Sequence, residues 1–261
     1  MSPLPSPPSM PPMSNAGPEQ LFAARLAADP GGPLVTFYDD ASGERAELSA
    51  KSLANWIAKT HFLLMDELGA AAGDRAFVRL PVHWLAAPIL LGCWYAGLEV
   101  VSDPAEATVA FGDADSLIQA LPTARLNRLD GAFAVSLLSM ARPSTPPPGM
   151  ADYASSVRPM PDAWATVQAQ AGPAQPALDG RSRAELGQAA RQAADELGLG
   201  PGGRLMWSAP WNGAAGPSGQ SDWTASLLAP LAVGGSVVLV RNPDPAKAAA
   251  RAEAEKATVC F

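Results

Sequence analysis

Few side chains in this sequence stand where chemistry would want them. His83 follows Pro81-Val82 at the end of a short apolar run, where a general base would serve a ligand mouth. No carboxylate or nucleophile lies at a spacing that would pair with it, and the plain alternative is a loop histidine. Asp113 and Asp115, after Thr108-Val109-Ala110-Phe111-Gly112, offer oxygen ligands for a cation, or else a turn and a helix cap. The richest segment is Trp211-Asn212-Gly213-Ala214-Ala215-Gly216-Pro217-Ser218-Gly219-Gln220. Its candidate ligand-binding residues are Trp211, Asn212, Gly213 and Ser218, to which His83 is added. The glycine spacing fits neither a Walker loop nor GxGxxG, so a flexible connector is the competing reading. Trp207, Trp211 and Trp223 flank this loop and would line an apolar pocket or fill a core. Gly-x-Ser-x-Gly does not occur, and neither does zinc-ligand spacing. No residue is assigned as catalytic or as a metal ligand.

The elements that would position these residues can be read from periodicity and punctuation. Residues 1–18 hold seven prolines and no periodic pattern, which reads as a disordered tail. Gln20–Ala28 is a short helix, Leu34–Tyr38 a strand, and Arg45–Leu48 a second strand after the turn Asp39-Asp40-Ala41-Ser42-Gly43. Ser49 caps a helix whose Leu53, Trp56, Ile57, Leu63, Leu64 and Leu68 share one face and which Gly69 ends. Strand Arg75–Leu80, a buried helix over 84–96 and a strand at Val100-Val101 follow. Thr108–Phe111 and Ala132–Leu138 are further strand candidates, and the six prolines of Arg142–Pro161 suggest a surface loop. Alternating strands and helices point to parallel sheets covered by helices.

The later part of the chain repeats the earlier one. Asp66-Glu67-Leu68-Gly69 recurs as Asp195-Glu196-Leu197-Gly198, Gly73 as Gly202, Arg75 as Arg204 and Pro81 as Pro210, all 129 positions on. The offset then becomes 137: Leu90-Leu91 recurs as Leu227-Leu228, Gly97 as Gly234 and Val100-Val101 as Val237-Val238. Ordered matches across four elements argue for duplication. The eight residues gained fall within the Trp211–Gln220 loop, which would lie beyond the carboxyl end of a strand, where open parallel sheets bind ligands. The expected division is a tail over 1–18, a first α/β unit over 19–141, a Pro-rich loop over 142–163 and a second α/β unit over 164–261.

Composition narrows the function classes. With 48% apolar and 16% charged residues the chain is globular, and a net charge of −7 with no basic cluster argues against nucleic acid. The 15-residue apolar stretch Trp84–Leu98 is too short to span a bilayer, and the N-terminus has no signal-peptide pattern. Cys93 and Cys260 are the two cysteines; both read as small buried hydrophobes, which suits a reducing, cytoplasmic setting.

Pro33-Leu34-Val35-Thr36-Phe37, Leu48-Ser49-x-x-x-Leu53, Gly73-Asp74-Arg75-x-x-Val78-x-Leu80-Pro81 and Leu91-Gly92-x-x-x-Ala96-Gly97 resemble the opening of the AMP-forming acyl- and aryl-CoA ligase and adenylation-domain superfamily. Leu197-Gly198 to Arg204, Pro210 and Leu227–Gly235 resemble the stretch after that family's phosphate loop. The likeness covers about residues 20–101 and 182–245, in particular to a short actinobacterial group of such proteins. It implies an α/β fold, a truncated adenylating-enzyme-like N-terminal domain of two similar subdomains. It also implies ATP-dependent activation of a carboxylate, with ATP or AMP and Mg as cofactors. The family's phosphate loop reads roughly Ser/Thr-Gly-Thr-Thr-Gly-x-Pro-Lys-Gly. Here Ala171-Gly172-Pro173-Ala174-Gln175-Pro176-Ala177-Leu178-Asp179-Gly180 stands in its place, without hydroxyl or lysine, and no lysine occurs between Lys59 and Lys247.

The expectation is therefore a non-catalytic relative of these ligases with no cofactor, binding an unknown small molecule or protein partner. A divergent acyl-adenylating ligase, using ATP and Mg at the Trp211–Gln220 loop, is one alternative. A protein-interaction module pairing through Thr258–Phe261 is the other.

Overall fold

The computed structural model describes residues 15–138, 142–211 and 222–261. Helix α1 (Pro18–Ala28) leads to the hairpin β1 (Pro33–Asp39) and β2 (Glu44–Ser49). Next come α2 (Ala50–Phe62), which runs into a π-helical turn over Leu63–Glu67, then β3 (Arg75–Arg79), α3 (Ala86–Tyr95), β4 (Glu99–Val101) and β5 (Val109–Gly112). The middle holds α4 (Ala114–Ala120), α5 (Thr123–Leu126), β6 (Gly131–Ala134), β7 (Ala151–Asp152) and α6 (Tyr153–Val157). The last third is β8 (Pro176–Leu178), β9 (Arg181–Ser182), α7 (Arg183–Glu196), β10 (Arg204–Trp207), a π turn (Thr224–Leu228) entering α8 (Ala229–Ala232), β11 (Ser236–Arg241), α9 (Pro245–Ala254) and β12 (Val259–Cys260).

Local chemistry explains most of these boundaries. Ser49 accepts the Ser52 N–H at the start of α2, and Ser182 and Glu185 form a capping box on α7. The α2 side chains Leu53, Ala54, Ile57 and Ala58 are buried at helical spacing. All ten residues of α3 are buried, and Pro88 falls in its first turn, where no backbone bond is lost. Asp113 accepts the Ser116 N–H and caps α4, which settles it as a cap rather than a cation ligand.

The duplication is carried down to single hydrogen bonds. Gly69, Gly73 and Gly97 have φ of 65°, 98° and 83°; their counterparts Gly198, Gly202 and Gly234 have 69°, 69° and 68°. These left-handed positions favour glycine, so the repeat's glycines are turn requirements. The Glu99 N–H donates to Asp74 O at 2.9 Å, and the Ser236 N–H to Gly203 O at 3.1 Å. Thr108 and Thr258 each donate a backbone N–H at 2.8 Å, to Arg75 O and Arg204 O. This last pair extends the repeat to a third strand: Ala76 pairs with Val109, and Leu205 with Val259.

The repeats exchange their leading hairpins. One sheet has the order β12-β10-β11-β1-β2 and the other β7-β6-β5-β3-β4-β8-β9. Thus β1, from the first repeat, runs parallel to β11 of the second, while β8, from the second, runs parallel to β4 of the first. The two sheets do not follow the expected contiguous units 19–141 and 164–261. The physical reason is that the Leu34–Phe37 run is buried throughout and needs a strand on each side, which β11 and β2 supply.

Three further expectations change. Ala16 and Pro18, assigned to a disordered tail, are buried; residues 1–14 lie outside the described residues. The Pro-rich segment 142–163 contains β7 and α6, whose Tyr153, Ala154 and Val157 pack into the core after Asp152 caps the helix. Cys260 is exposed on the outermost strand β12, whereas Cys93 is buried as expected.

Arg183, at the first position of α7, joins the repeats. It is fully buried and donates from Nε to Glu19 Oε1 at 2.6 Å. Its other nitrogens donate to the carbonyls of Pro176, Trp94 and Leu98, at 2.5, 3.1 and 3.2 Å. One side chain thereby ties α1, α3, the turn before β4, and β8. Burial pushes the Glu19 carboxyl up, against the pull of Arg183. Replacing Arg183 with Met leaves that carboxyl and these carbonyls unpaired in the core. The expected cost is about 3–5 kcal/mol of unfolding free energy in urea titrations, with a smaller loss for Glu19→Gln, which retains the acceptor.

Candidate functional site

The segment in the phosphate-loop position is closed on itself. Gly172 N–H donates to Gln175 Oε1 at 2.5 Å, and Gln175 N–H to Gly172 O at 3.1 Å. Pro173 and Pro176 have no N–H to offer. The Pro173 and Gln175 carbonyls accept the Ala184 and Arg183 N–H groups, so the first turn of α7 is stitched to this segment. The next stretch forms the hairpin β8–β9, with Asp179 at φ 46° and Gly180 at φ 79° in its turn. Asp179 faces back to the sheet, accepting from Ser102 N and Oγ at 2.7 Å each. Arg183, in the first turn of α7, is committed to Glu19 and the core carbonyls, while Arg181 on β9 is exposed.

His83 lies in the loop after β3, at the carboxyl edge of the parallel sheet. It is 0% exposed, so it is neither a surface loop histidine nor a base open to solvent. Its ring meets Phe37 edge-on at 4.8 Å and lies 5.7 Å from Trp84. Nδ1 accepts the Leu85 N–H at 3.3 Å, which places the proton of the neutral ring on Nε2, an atom with no partner among the described residues. Close by, Arg241 crosses the Phe37 ring at 5.4 Å and donates to Asp39 Oδ2 at 3.0 Å. Burial would raise the Asp39 carboxyl, but bonds from Ser42, Arg241 and Asn242 outweigh it and hold the group well below the carboxylate range. Burial first, then the Arg241 charge, pushes His83 down to about 3, against the opposing pull of Asp39. A histidine so placed carries an unmet N–H donor at neutral pH and is too weak a base for proton abstraction.

Trp211 is buried and donates from Nε1 to Ser226 Oγ at 3.1 Å; Ser226 in turn donates to the Asp222 carbonyl at 2.6 Å. This chain braces the π turn that leads into α8. Trp207 and Trp223 are buried as well. Asn212, Gly213 and Ser218 fall within 212–221, outside the described residues. Among the described residues His83 and Trp211 share no hydrogen bond or ring contact. Arg183 and Glu19 were not legible as an internal pair, because an arginine beside a helix cap reads as a solvated charge. No group of three His, Cys, Asp or Glu among the described residues is placed to hold a metal ion, and no helix there is long and apolar enough to cross a membrane. A wholly apolar cavity of about 20 Å³ separates α3 from α8 and is too small for a ligand.

The buried histidine predicts an acid-sensitive fold. Between about pH 6.5 and 3 the unfolded chain binds a proton that native His83 refuses, so stability falls as pH falls. Asp40, held at about 2 chiefly by its bonds from Arg251, contributes stability that is lost only below about pH 3.9, outside most of that window. Urea titrations from pH 7 to 4 should show wild type losing up to roughly 1.4 kcal/mol per pH unit more than His83→Asn. Parallel slopes would show that His83 titrates normally.

No family model matches the sequence. A protein of Mycobacterium tuberculosis (strain ATCC 25618 / H37Rv), described as a TIGR03089 family protein, is 42% identical over 235 residues, covering 89% of this chain and 93% of the relative. Among solved structures, the anthranilate CoA ligase AuaEII in complex with anthranoyl-AMP superposes with a TM-score of 0.66 at 15% identity, over 90% of this chain and 46% of the ligase. Acetoacetyl-CoA synthetase from Streptomyces lividans gives 0.72 at 18% identity, over 94% of this chain and 42% of the synthetase. The chain thus has the α/β fold of AMP-forming CoA ligases and spans less than half the length of those two enzymes. By its 42% identity along nearly the whole of a curated relative, it belongs to the TIGR03089 protein family.

Proposed function

We propose that this protein keeps the framework of an adenylating ligase without the adenylating chemistry, and acts by binding a small molecule or a protein partner. The observation that carries this reading is the closed segment 171–176 beside the buried Arg183. Adenylation brings a carboxylate to the α-phosphorus of ATP, so backbone donors, a cation and a metal must surround the phosphates. Here Gly172 and Gln175 bond within the segment, two prolines lack N–H groups, and the Arg183 guanidinium is sealed in the core, which leaves the exposed Arg181 on β9 as the one arginine beside it. No lysine between 60 and 246 is available to replace it. Cys93, a free thiol, supports a reducing, cytoplasmic location.

The test is ATP–pyrophosphate exchange on the full chain with a panel of aliphatic and aromatic carboxylates. No exchange above a protein-free control is expected. Carboxylate-dependent exchange that rises with protein concentration would overturn the reading in favour of a divergent ligase.

A further inference from the structure

An open groove of about 770 Å³ lies at the opposite, amino-terminal end of β6. Its volume is in the range of small-molecule sites, roughly 300–1,000 Å³. The π-helical turn after α2 forms one wall with Leu63, Glu67 and Leu68; Leu129 and Asp130 begin another, and Phe133 and Met160 add apolar surface. π turns inside helices occur often at functional sites, because the extra residue redirects side chains. Two glycines bring bare backbone to the lining. Gly149 has φ 87°, and a Cβ on Gly131 would crowd Phe133 and Leu68 at 2.8 and 2.9 Å.

The charge on this groove has one sign. Glu67 and Asp130 are exposed, and neither forms an ion pair among the described residues. Among the described residues no Lys or Arg lines the groove. The ammonium of Lys59, on α2, is turned to the carbonyls of Arg158 and Met160. Partly apolar walls, with the neutral polar Asn127 and Ser156, two unpaired carboxylates and no cation among the described lining residues, complement a molecule with an apolar body and one positive charge. An organic anion would meet the same carboxylates as repulsion.

We propose that the groove between the π turn and β6 is a binding site for a small organic cation, an ammonium group borne on an apolar or aromatic body. Its geometry is independent of segment 171–176, so it stands whether or not the protein adenylates.

The experiment is a ¹⁵N-amide NMR titration of the full chain with 2-phenylethylammonium, 3-phenylpropionate and 2-phenylethanol, which share a body and differ in charge. Saturable shifts at Leu68, Gly131 and Gly149 are expected with the ammonium, at least about tenfold tighter than with the carboxylate or the alcohol. The Glu67→Gln/Asp130→Asn double variant should weaken the ammonium about tenfold with an unchanged melting temperature. Raising sodium chloride from about 50 to about 500 mM should weaken wild-type binding in the same direction, since exposed charges are screened. The proposal is overturned if the ammonium causes no saturable shifts there, if the three probes bind alike, or if salt has no effect. Shifts with trilysine but none with the aryl amine would overturn it in favour of a basic peptide.

Discussion

Arg183 is the side chain on which the arrangement of the two repeats depends. A guanidinium out of water is tolerable only when its donors are met, and this one is met from four directions: Glu19 on α1, Pro176 on β8, Trp94 on α3 and Leu98 before β4. Its neighbourhood is built around the same need. The Tyr95 hydroxyl donates to Glu19 O at 2.8 Å. A Cβ on Gly187, one turn along α7 from Arg183, would overlap the Ala16 carbonyl. Helix α1 is therefore a strap over both repeats, held by charge at Arg183 and by close backbone contact at Gly187.

That constraint reaches the segment in the phosphate-loop position. The Arg183 backbone N–H bonds Gln175 O while its side chain bonds Pro176 O, so this stretch is anchored through the residue that links the repeats. Opening it around a nucleotide would disturb the attachment of β8, the strand by which the second repeat joins the first sheet. The framework and the closed segment are thus one structural decision. The exchanged hairpins share it in mirrored form: Asp179 caps Ser102 in one sheet, and Asp39 holds Arg241 and Asn242 in the other.

Much of the scaffold was legible in the sequence. The repeat surfaced through Gly69/Gly198, Gly73/Gly202 and Gly97/Gly234, because positive φ restricts those positions to glycine and leaves a mark at fixed spacing. Ser49 and Ser182 announced their helices by cap chemistry. What stayed hidden was tertiary. Nothing in Leu34–Phe37 tells whether the strand joins its own repeat or the other, since burial on both faces looks the same in either sheet. Helix α6 was masked by the prolines around it, although Tyr153, Ala154 and Val157 share a face. His83 looked like a surface loop residue because its burial draws on Phe37 of β1, a contact distant in sequence. The groove beside Glu67 was invisible for the same reason: β6 and the π turn meet only in the folded chain.

The central claim is that the adenylating framework survives here with its nucleotide cradle closed. Isothermal titration calorimetry of Mg·ATP into the full chain tests it most directly. The account predicts no saturable heat up to millimolar nucleotide. A one-to-one isotherm that disappears on altering residues 171–176 would contradict it.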